Sequence, residues 1–248
     1  MQSDNPTAGI LVIGDEILSG RTREGNAHYL AGVLAATGFD LREIRVVPDD
    51  HAMIVAAIRA MDSTLGGAWD HVFTSGGIGP THDDITADAV AEAFGTVLEL
   101  NERARAAMQE RYARIGIELN ENRLRMARVP VGARLIENRV SAAPGFSIGV
   151  TQVMAGVPEV FRSMVEAVLP TLTPGRPQVS ETLEVRRGES DVAAELKSVQ
   201  EDYPDLALGS YPFRDAGGFA TNLVVRGLDP GRVAAAMALL KSRIGVGG

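Results

Sequence analysis

The sequence contains no cysteine. This absence excludes disulfide bonds, thiolate catalysis and zinc sites built on cysteine. It is compatible with a reducing compartment, and we expect the protein to reside in the cytoplasm. Residues 1–6 do not join a basic segment to an apolar stretch, so we expect no signal peptide. No apolar run approaches the roughly 20 residues that a membrane-spanning helix requires, and we expect no membrane partner.

Basic residues are also in short supply. The chain has 24 Lys and Arg against 32 Asp and Glu, which gives a formal net charge of -8 at pH 7. This balance argues against non-specific binding to nucleic acid or to a membrane surface, although a locally positive site could still bind a small anion. With 248 residues, of which 45% are hydrophobic, the chain can form one large domain or a large and a small one.

Several common catalytic signatures are absent. The glycine-rich stretch at 76–79 is not followed by Gly-Lys-Ser/Thr, and it lacks the third glycine of a dinucleotide-binding fingerprint. No Gly-x-Ser-x-Gly motif is present, which disfavours a hydrolase of the Ser-His-Asp type. The four histidines show no metal-binding spacing, so a histidine zinc site is disfavoured.

Short apolar runs and amphipathic segments alternate three times in the first part of the chain. The predicted order is strand 8–14, helix 26–36, strand 39–47, helix 53–61, strand 70–73 and helix 87–94. This alternation is typical of βαβ units, and it predicts an α/β fold with a mostly parallel sheet.

The pattern changes after residue 95. We predict helices at 101–114, 120–128 and 159–169, strands at 135–136 and 152–155, and a loop of small residues at 141–146. Asn101 is expected to cap its helix, and Pro158 suits the first position of the last one.

A proline-rich stretch at 170–177 predicts a stiff linker. We therefore expect one domain over residues 1–172 and another over 178–248. The second domain shows the order strand, helix, strand, strand, helix, which predicts a small α+β fold. Residues 215–218 (Asp-Ala-Gly-Gly) predict its hairpin turn.

The turn between the third strand and its helix, residues 74–86, concentrates glycine, hydroxyl and carboxylate groups. Ligands of open parallel sheets bind at such strand ends, and glycines let backbone N–H groups approach an anion. Asp83 and Asp84 are the expected ligands of Mg²⁺ or another divalent cation, and Thr86 is the expected N-cap of the helix. The alternative is a tight turn with solvated aspartates. The residues expected to bind phosphate here are Ser75, Gly76, Gly77, Gly79 and Thr81.

Other charged residues could join this site. The pairs at 15–16 and 49–50 follow strands that end at the same sheet edge. Asp49 is interpreted as functional, whereas Asp50 is better explained as a helix N-cap. The arginines at 123, 125 and 128 either form a solvated helix face or meet the phosphates. His82 either contacts the ligand or is a bystander.

Residues 76–86 (Gly-Gly-Ile-Gly-Pro-Thr-His-Asp-Asp-Ile-Thr) resemble the signature of the molybdopterin-binding domain. Their Pro-Thr-x-Asp-Asp version is similar to the competence/damage-inducible protein A (CinA) branch and to the FAD synthases. Segments 14–20, 47–50, 122–130, 143–146 and 155–158 match in the same order, and the region from Arg187 resembles the small KH-like domain that follows in CinA proteins. The resemblance implies a three-layer α/β/α fold with a mostly parallel sheet, followed by a small α+β KH-like domain.

The resemblance also implies an activity. CinA-like proteins are associated with metal-dependent cleavage of ADP-ribose-like dinucleotides to AMP, and the FAD-synthase branch implies a related cleavage of FAD. The expected catalytic residues are Asp84, Asp49 and Asp83, with Mg²⁺, Mn²⁺ or Co²⁺ as cofactor. The further residues expected at the nucleotide or pterin ligand are Asp15, Glu16, Ser19, Gly20, Asn26, Arg125, Pro144, Gly145 and Pro158.

Two alternatives stay open. The same site could bind molybdopterin and serve adenylyl transfer in molybdenum-cofactor biosynthesis, or it could be a non-catalytic ligand-binding module. The KH-like region lacks the Gly-x-x-Gly loop that clamps RNA, so no nucleic-acid partner is expected. The resemblance suggests a homo-oligomer, either a dimer or a trimer.

Overall fold

The computed structural model describes residues 5–246. Residues 1–4 and 247–248 lie outside it. The outer ends of the two expected domains, and most of residues 1–6 on which the signal-peptide prediction rests, therefore fall outside the described residues. Within the described residues, the chain forms two compact units, residues 5–175 and residues 176–246.

The first unit is built on a six-stranded sheet and a small two-stranded one. Its strands are β1 (Thr7–Ile13), β2 (Asp40–Val47), β3 (His71–Ser75), β4 (Leu98–Leu100), β5 (Arg128–Pro130), β6 (Arg134–Ile136), β7 (Gly145–Ile148) and β8 (Thr151–Met154). The large sheet has the order β2-β1-β3-β8-β7-β6, with β2, β1, β3 and β8 parallel and β7 and β6 antiparallel. The prediction of a mostly parallel sheet is confirmed.

Helices cover both faces of this sheet. They are α1 (Asp15–Leu18), α2 (Asn26–Ala36), α3 (His51–Met61), α4 (Thr86–Ala93), α5 (Glu102–Arg114), α6 (Glu121–Leu124) and α7 (Pro158–Val168), with short 3-10 helices at Ser63–Leu65, Arg125–Ala127 and Leu169–Thr171. Ile10 of β1 belongs to a core with α2 and α7, whereas its neighbour Leu11 belongs to a core with α3 and α4. Because successive side chains of a strand point to opposite faces, this division gives the three expected layers.

Three helix starts follow the sequence-based expectations. The Asp50 side chain accepts a hydrogen bond from the Met53 backbone N–H at 2.9 Å, and so caps α3. Asn101 caps α5 through the Ala104 N–H at 3.0 Å, and Pro158 opens α7. These caps satisfy or remove backbone donors that lack partners in the first turn of a helix.

The predicted N-cap of α4 is wrong. The cap position belongs to Ile85, and Thr86 is already the first helical residue. Its buried hydroxyl instead donates a hydrogen bond to the Gly76 carbonyl at 3.1 Å. Thr86 thus ties the start of α4 to the end of β3 rather than capping its own helix.

Two further local predictions fail where tertiary pairing overrides local pattern. The predicted loop at 141–146 includes Gly145 and Phe146, yet these residues begin β7, which pairs with β6 and β8. The predicted helix at 120–128 ends early, because Arg128 enters β5 and pairs with Leu100 of β4.

The second unit is the expected small α+β fold. It comprises β9 (Val179–Val185), α8 (Ala193–Asp202), β10 (Ala207–Asp215), β11 (Gly218–Gly227) and α9 (Pro230–Ile244), with a 3-10 helix at Glu189–Asp191. Its antiparallel sheet has the order β10-β11-β9, and Asp215 pairs with Gly218 across the predicted hairpin turn. α8 and α9 complete a separate apolar core. Across residues 5–246, no helix combines the length and apolar character needed to cross a membrane.

Candidate functional site

The register of the parallel strands brings four chain segments to one edge of the sheet. Ile13 of β1 lies beside Val47 of β2, Val12 lies beside Ser75 of β3, and Ser75 lies beside Met154 of β8. The loops that follow these strands therefore leave the sheet side by side. This is the position at which open α/β sheets bind their ligands.

These loops surround a cavity of about 470 Å³. Four of its lining side chains are carboxylates, namely Glu16, Asp49, Asp83 and Asp84. The rest of the lining is mostly backbone of the glycine turn and apolar side chains. The cavity therefore combines an acidic side with an apolar wall.

Two glycines set the path of the turn after β3. Gly76 has φ 113°, and a Cβ atom at this position would lie 2.1 Å from the Ile13 carbonyl oxygen. Gly77 has φ 69°, and its Cβ would lie 2.0 Å from the Thr86 hydroxyl oxygen. Only glycine suits these backbone angles and this close approach, so the turn is held tightly between β1 and α4.

The turn presents backbone donors that the protein itself does not use. The Gly76 N–H donates to the Met154 carbonyl at 3.1 Å. Among residues 5–246, however, the N–H groups of Gly77, Ile78 and Gly79 have no protein acceptor. All three residues line the cavity. Consecutive donors of this kind form a site that suits an anionic oxygen.

Thr81 fixes the orientation of Asp84. The Asp84 Oδ2 atom accepts hydrogen bonds from both the backbone N–H and the hydroxyl of Thr81, at 2.8 and 2.5 Å. Thr81 is exposed and does not line the cavity. Its role is to position the carboxylate that does.

Asp49 lies in a crowded acidic environment. Burial raises the pKa of its carboxyl group, and the negative charges of Asp15, Glu16 and Asp83 raise the pKa further. The Asp15 backbone N–H, which donates to Asp49 Oδ2 at 2.9 Å, acts in the opposite direction. A cation in the cavity would relieve this repulsion.

A metal ion in this cavity would not be held by protein side chains alone. Within residues 5–246, no three His, Asp or Glu side chains come together as a ready cage. Mg²⁺ commonly uses one or two carboxylates and completes its shell with water and substrate phosphate oxygens. Asp83 and Asp84 can supply such a partial shell beside the unpaired N–H groups.

The structure gathers eight of the predicted site residues around the cavity. They are Glu16, Asp49, Gly76, Gly77, Gly79, Asp83, Asp84 and Pro144. Nine other predicted residues do not line it: Asp15, Ser19, Gly20, Asn26, Ser75, Thr81, Arg125, Gly145 and Pro158.

Several residues of the second group have structural contacts. The Asn26 side-chain amide is buried and donates to the Ser75 hydroxyl at 2.9 Å and to the Gly156 carbonyl at 2.8 Å. Gly145 is buried in β7, and a Cβ there would lie 2.3 Å from the Val153 carbonyl oxygen. The Asn26 amide therefore links Ser75 to Gly156 and holds the loops around the cavity together, although neither Asn26 nor Ser75 lines it.

The remaining residues of that group lie at the periphery. Ser19 and Gly20 are exposed just after α1, and Pro158 is exposed at the start of α7. Arg125 lines a separate crevice next to the cavity. The His82 side chain is 97% exposed, and its nearest acidic group is Asp83 at 3.9 Å.

The sequence reasoning missed the apolar wall. Val157, Val160 and Met164 line the cavity, and their spacing of three and four residues is the signal that places them on one face of a helix. Met126 and Ala143 reach the cavity from distant segments. Both lie in segments that carry the family resemblance, 122–130 and 143–146, but neither residue was predicted to bind the ligand.

Two family models match the chain. Residues 9–174 match the model described as a probable molybdopterin binding domain, which covers more than half of the chain. The chain belongs to the molybdopterin-binding domain family. Residues 177–247 match the model of the FAD synthase middle domain. The family's description names a small-molecule ligand, which agrees with a cavity at the strand ends.

Individual relatives place this chain in the CinA branch of the family. Its sequence is 34% identical to that of a solved chain, described as the crystal structure of the protein CinA with unknown function from Thermoplasma acidophilum. The two structures match with a TM-score of 0.60, and the match covers 68% of this chain and 99% of that one. It is 41% identical over 169 residues to a CinA-like protein of Citrifermentans bemidjiense, which covers 66% of this chain and 40% of that protein. A protein of Metallosphaera sedula is 38% identical over 204 residues, or 79% of this chain and 76% of the relative.

Proposed function

We propose that this protein is a divalent-cation-dependent nucleotide pyrophosphatase that cleaves ADP-ribose-like or FAD-like dinucleotides and releases AMP. One observation carries the proposal. The unpaired N–H groups of Gly77, Ile78 and Gly79 and the carboxylates of Asp83 and Asp84 line the same cavity. Donors for phosphate oxygens and ligands for a cation are thereby combined at one strand end.

The ligand is oriented by the two sides of the cavity. Its phosphate accepts hydrogen bonds from the turn at 77–79, and its planar ring packs on the apolar wall of Val157, Val160 and Met164. A flavin, an adenine and a pterin each offer such a ring. The family description, which names molybdopterin, supports a ligand of this shape.

In the proposed reaction, water attacks one phosphorus atom of the diphosphate and the bridging P–O bond breaks. ADP-ribose then gives AMP and ribose 5-phosphate. Asp83 and Asp84 would hold a divalent cation, which supplies charge neutralisation at the phosphates and activation of water. Asp49 orients the attacking water and accepts its proton at a carboxylate oxygen. The N–H groups of the turn stabilise the negative charge that develops on the phosphate oxygens.

The family description favours a second candidate function, which is binding of molybdopterin. Adenylyl transfer onto the bound pterin is the reaction that the sequence resemblance attaches to such binding. The same donors and carboxylates would serve either reaction. The fate of AMP distinguishes them, because hydrolysis releases AMP and transfer leaves it attached to the pterin. A ligand that stabilises the protein without being consumed would instead indicate a binding module.

A product assay tests the proposal. The protein is incubated with one of three substrates, which are ADP-ribose, FAD, and a mixture of ATP and molybdopterin. Each incubation contains Mg²⁺, Mn²⁺ or Co²⁺, and a parallel incubation with EDTA is the control. Chromatography then measures AMP and its partner product. We expect AMP in equal amount to ribose 5-phosphate or FMN, and only with a cation. If no dinucleotide yields AMP with any cation, the proposed activity is wrong.

A further inference from the structure

Residues 101–127 form an excursion from the first unit, which we call the arm. The arm contains α5, α6 and a short 3-10 helix. It begins after β4 and ends at β5, and these two strands pair with Leu100 opposite Arg128. The Asn101 N–H also donates to the Ala127 carbonyl at 2.9 Å. The two ends of the arm therefore lie side by side.

The paired strands give the arm a fixed base. Val129 of β5 is buried, and it belongs to the core that the sheet forms with α3 and α4. A segment whose two ends meet at an anchored pair of strands can move as one piece, because only a few residues at its ends have to change their dihedral angles. The β4–β5 pair is therefore a suitable hinge.

A small core of its own holds the arm against the rest of the first unit. The buried members of this core are Ala104, Met108 and Ala127 of the arm and Ala143 of the loop after β6. Met108 is its one large buried side chain among residues 5–246, whereas the core with α2 and α7 contains three buried phenylalanines. Because local stability follows buried apolar contact, we expect the arm to open more easily than the sheet and its covering helices.

Polar contacts add little to this attachment. Within residues 5–246, two side chains of the arm make polar contacts outside it. Arg103 pairs with Glu137 at 3.1 Å, and Arg111 donates to the Val140 carbonyl at 3.2 Å. Both contacts are exposed to solvent, and interactions between exposed charged groups contribute little to stability.

The arm also forms part of the ligand cavity. Met126 lines the cavity from the arm, and Ala143, on which the arm packs, lines it from the loop after β6. A movement of the arm about its base therefore removes Met126 from the cavity wall or returns it there. The unbranched methionine side chain can adapt its shape to a bound ligand.

We propose that the arm is a lid, which opens about the β4–β5 pair to admit the ligand and then closes Met126 over it. Closure of such a lid shields the bound ligand from water. The inference rests on ligand binding in the cavity, which is part of the proposed function, and not on cleavage. It adds a moving element to a site that is otherwise built on the ends of rigid strands.

Hydrogen exchange of the ligand-free protein tests whether the arm opens by itself. Mass spectrometry compares the amides of α5 with those of α2, a helix of similar length that packs in the larger core. After correction for intrinsic rates, we expect α5 to exchange at least about 100-fold faster than α2, because its amides are released by a local opening and not by global unfolding.

Two methionine variants locate this opening. Met108 and Met61 are both fully buried, but Met61 belongs to the core with α3 and α4. Met108→Ala should speed the exchange of α5 at least about tenfold, since it removes the main apolar contact of the arm. Met61→Ala is the control, which should speed the exchange of β1 and leave α5 within about twofold of the wild type. If circular dichroism shows that Met61→Ala is unfolded, Ile58→Val is the milder control in the same core.

A ligand that resists turnover tests closure. α,β-Methylene-ADP cannot be hydrolysed between its phosphorus atoms, and isothermal titration with Mg²⁺ gives its Kd. At a free concentration of ten times this Kd, any opening that releases the ligand becomes about tenfold rarer. We therefore expect the exchange of α5 and of β1 to slow by the same factor of about ten. The amides of α9 in the second unit, which has a separate core, are the internal reference.

The outcomes separate the lid from the proposed catalytic function. Exchange in α5 as slow as in α2, or a bound ligand that slows β1 and leaves α5 unchanged, overturns the lid. Local exchange of α5 that the ligand slows, in a protein that releases no AMP from any dinucleotide, supports the lid and overturns the catalysis. AMP release from a protein whose arm does not open locally does the reverse. A protein that does not bind α,β-methylene-ADP overturns both the phosphate site and the lid.

Discussion

Asp49 is the residue at which the electrostatic cost of the site is concentrated. Its pKa is raised first by burial and then by the charges of Asp15, Glu16 and Asp83. At neutral pH the ionised carboxylate therefore destabilises the folded protein. A group with a raised folded pKa contributes stability below its unfolded pKa, and that contribution is lost as the pH rises through the folded pKa.

We predict from this shift that Asp49→Asn stabilises the protein in metal-free buffer at pH 7. The difference in melting temperature should shrink as the pH falls, and it should vanish near pH 3, where wild-type Asp49 is protonated in both the folded and the unfolded state. Thermal scans of both proteins across this range measure the effect. A variant that melts below the wild type at pH 7 would contradict the account.

Gly76 is the residue on which the turn depends most. Gly76→Ala forces a Cβ atom against the Ile13 carbonyl at a φ of 113°, and we expect a loss of about 1–3 kcal/mol in the free energy of unfolding. Gly32→Ala is the matched control, because Gly32 lies within α2 with open space around its Cβ position. That control should gain about 0.5–1 kcal/mol. Chemical denaturation measures both, and equal effects would be inconsistent with a constrained turn.

At the scale of elements, the three βα units could be predicted from the sequence because two of their strands, β1 and β3, are buried on both faces. The third, β2, lies at the sheet edge and alternates between buried and more exposed residues. A continuous apolar run such as 8–13, followed by a helical pattern, is typical of a central strand in a parallel sheet. The later strands β4, β5 and β7 could not be predicted. Each is only three or four residues long and depends on its pairing partners. For β4 and β5 the partner is distant in the sequence, as Leu100 is from Arg128, and β7 pairs with its neighbours β6 and β8.

The Asn26 side chain connects three elements, and its loss should affect both stability and ligand binding. It links the start of α2 to Ser75 at the end of β3 and to Gly156 before α7. We expect Asn26→Ala to lower the free energy of unfolding by about 1–3 kcal/mol, since it leaves buried acceptors unpaired. Chemical denaturation measures this loss, and titration with α,β-methylene-ADP should show weaker binding because the loops shift. Unchanged affinity would mean that Asn26 only stabilises the fold.

The site was predictable to the extent that it follows from topology. Because parallel strands end at one edge, Glu16, Asp49 and the turn could be expected to meet from the order of strands and helices alone. The orientation of individual side chains could not. The Ser75 hydroxyl is buried and accepts a hydrogen bond from Asn26 of another segment, and Met126 reaches the cavity from the 3-10 helix at Arg125–Ala127.

At the scale of the molecule, every residue that lines the cavity belongs to the first unit. The second unit has its own core, built from β9, β11 and α9 among others. We predict that the chain truncated after Gly175 keeps the AMP-releasing activity within about threefold, with α,β-methylene-ADP affinity as a second readout. Loss of both in a truncated protein that still melts cooperatively would show that the second unit contributes to the site.

The expected dimer or trimer is a separate prediction for the whole molecule. Light scattering of the full and truncated chains gives their masses, and we expect the full chain to exceed the 26.3 kDa of a single copy by two- or threefold. A monomer at the concentrations of the activity assay would contradict it.

The most direct test of the central claim compares AMP release from ADP-ribose by Asp84→Asn and Asp50→Asn in the presence of Mg²⁺. Both changes remove one negative charge near the same sheet edge, but Asp50 lies outside the cavity lining and caps α3, a role that asparagine also fills. We predict that Asp84→Asn lowers the rate at least about 100-fold while Asp50→Asn stays within about twofold of the wild type. Equal rates for the two variants would contradict the assignment of Asp84 and, with it, the proposed metal-dependent cleavage.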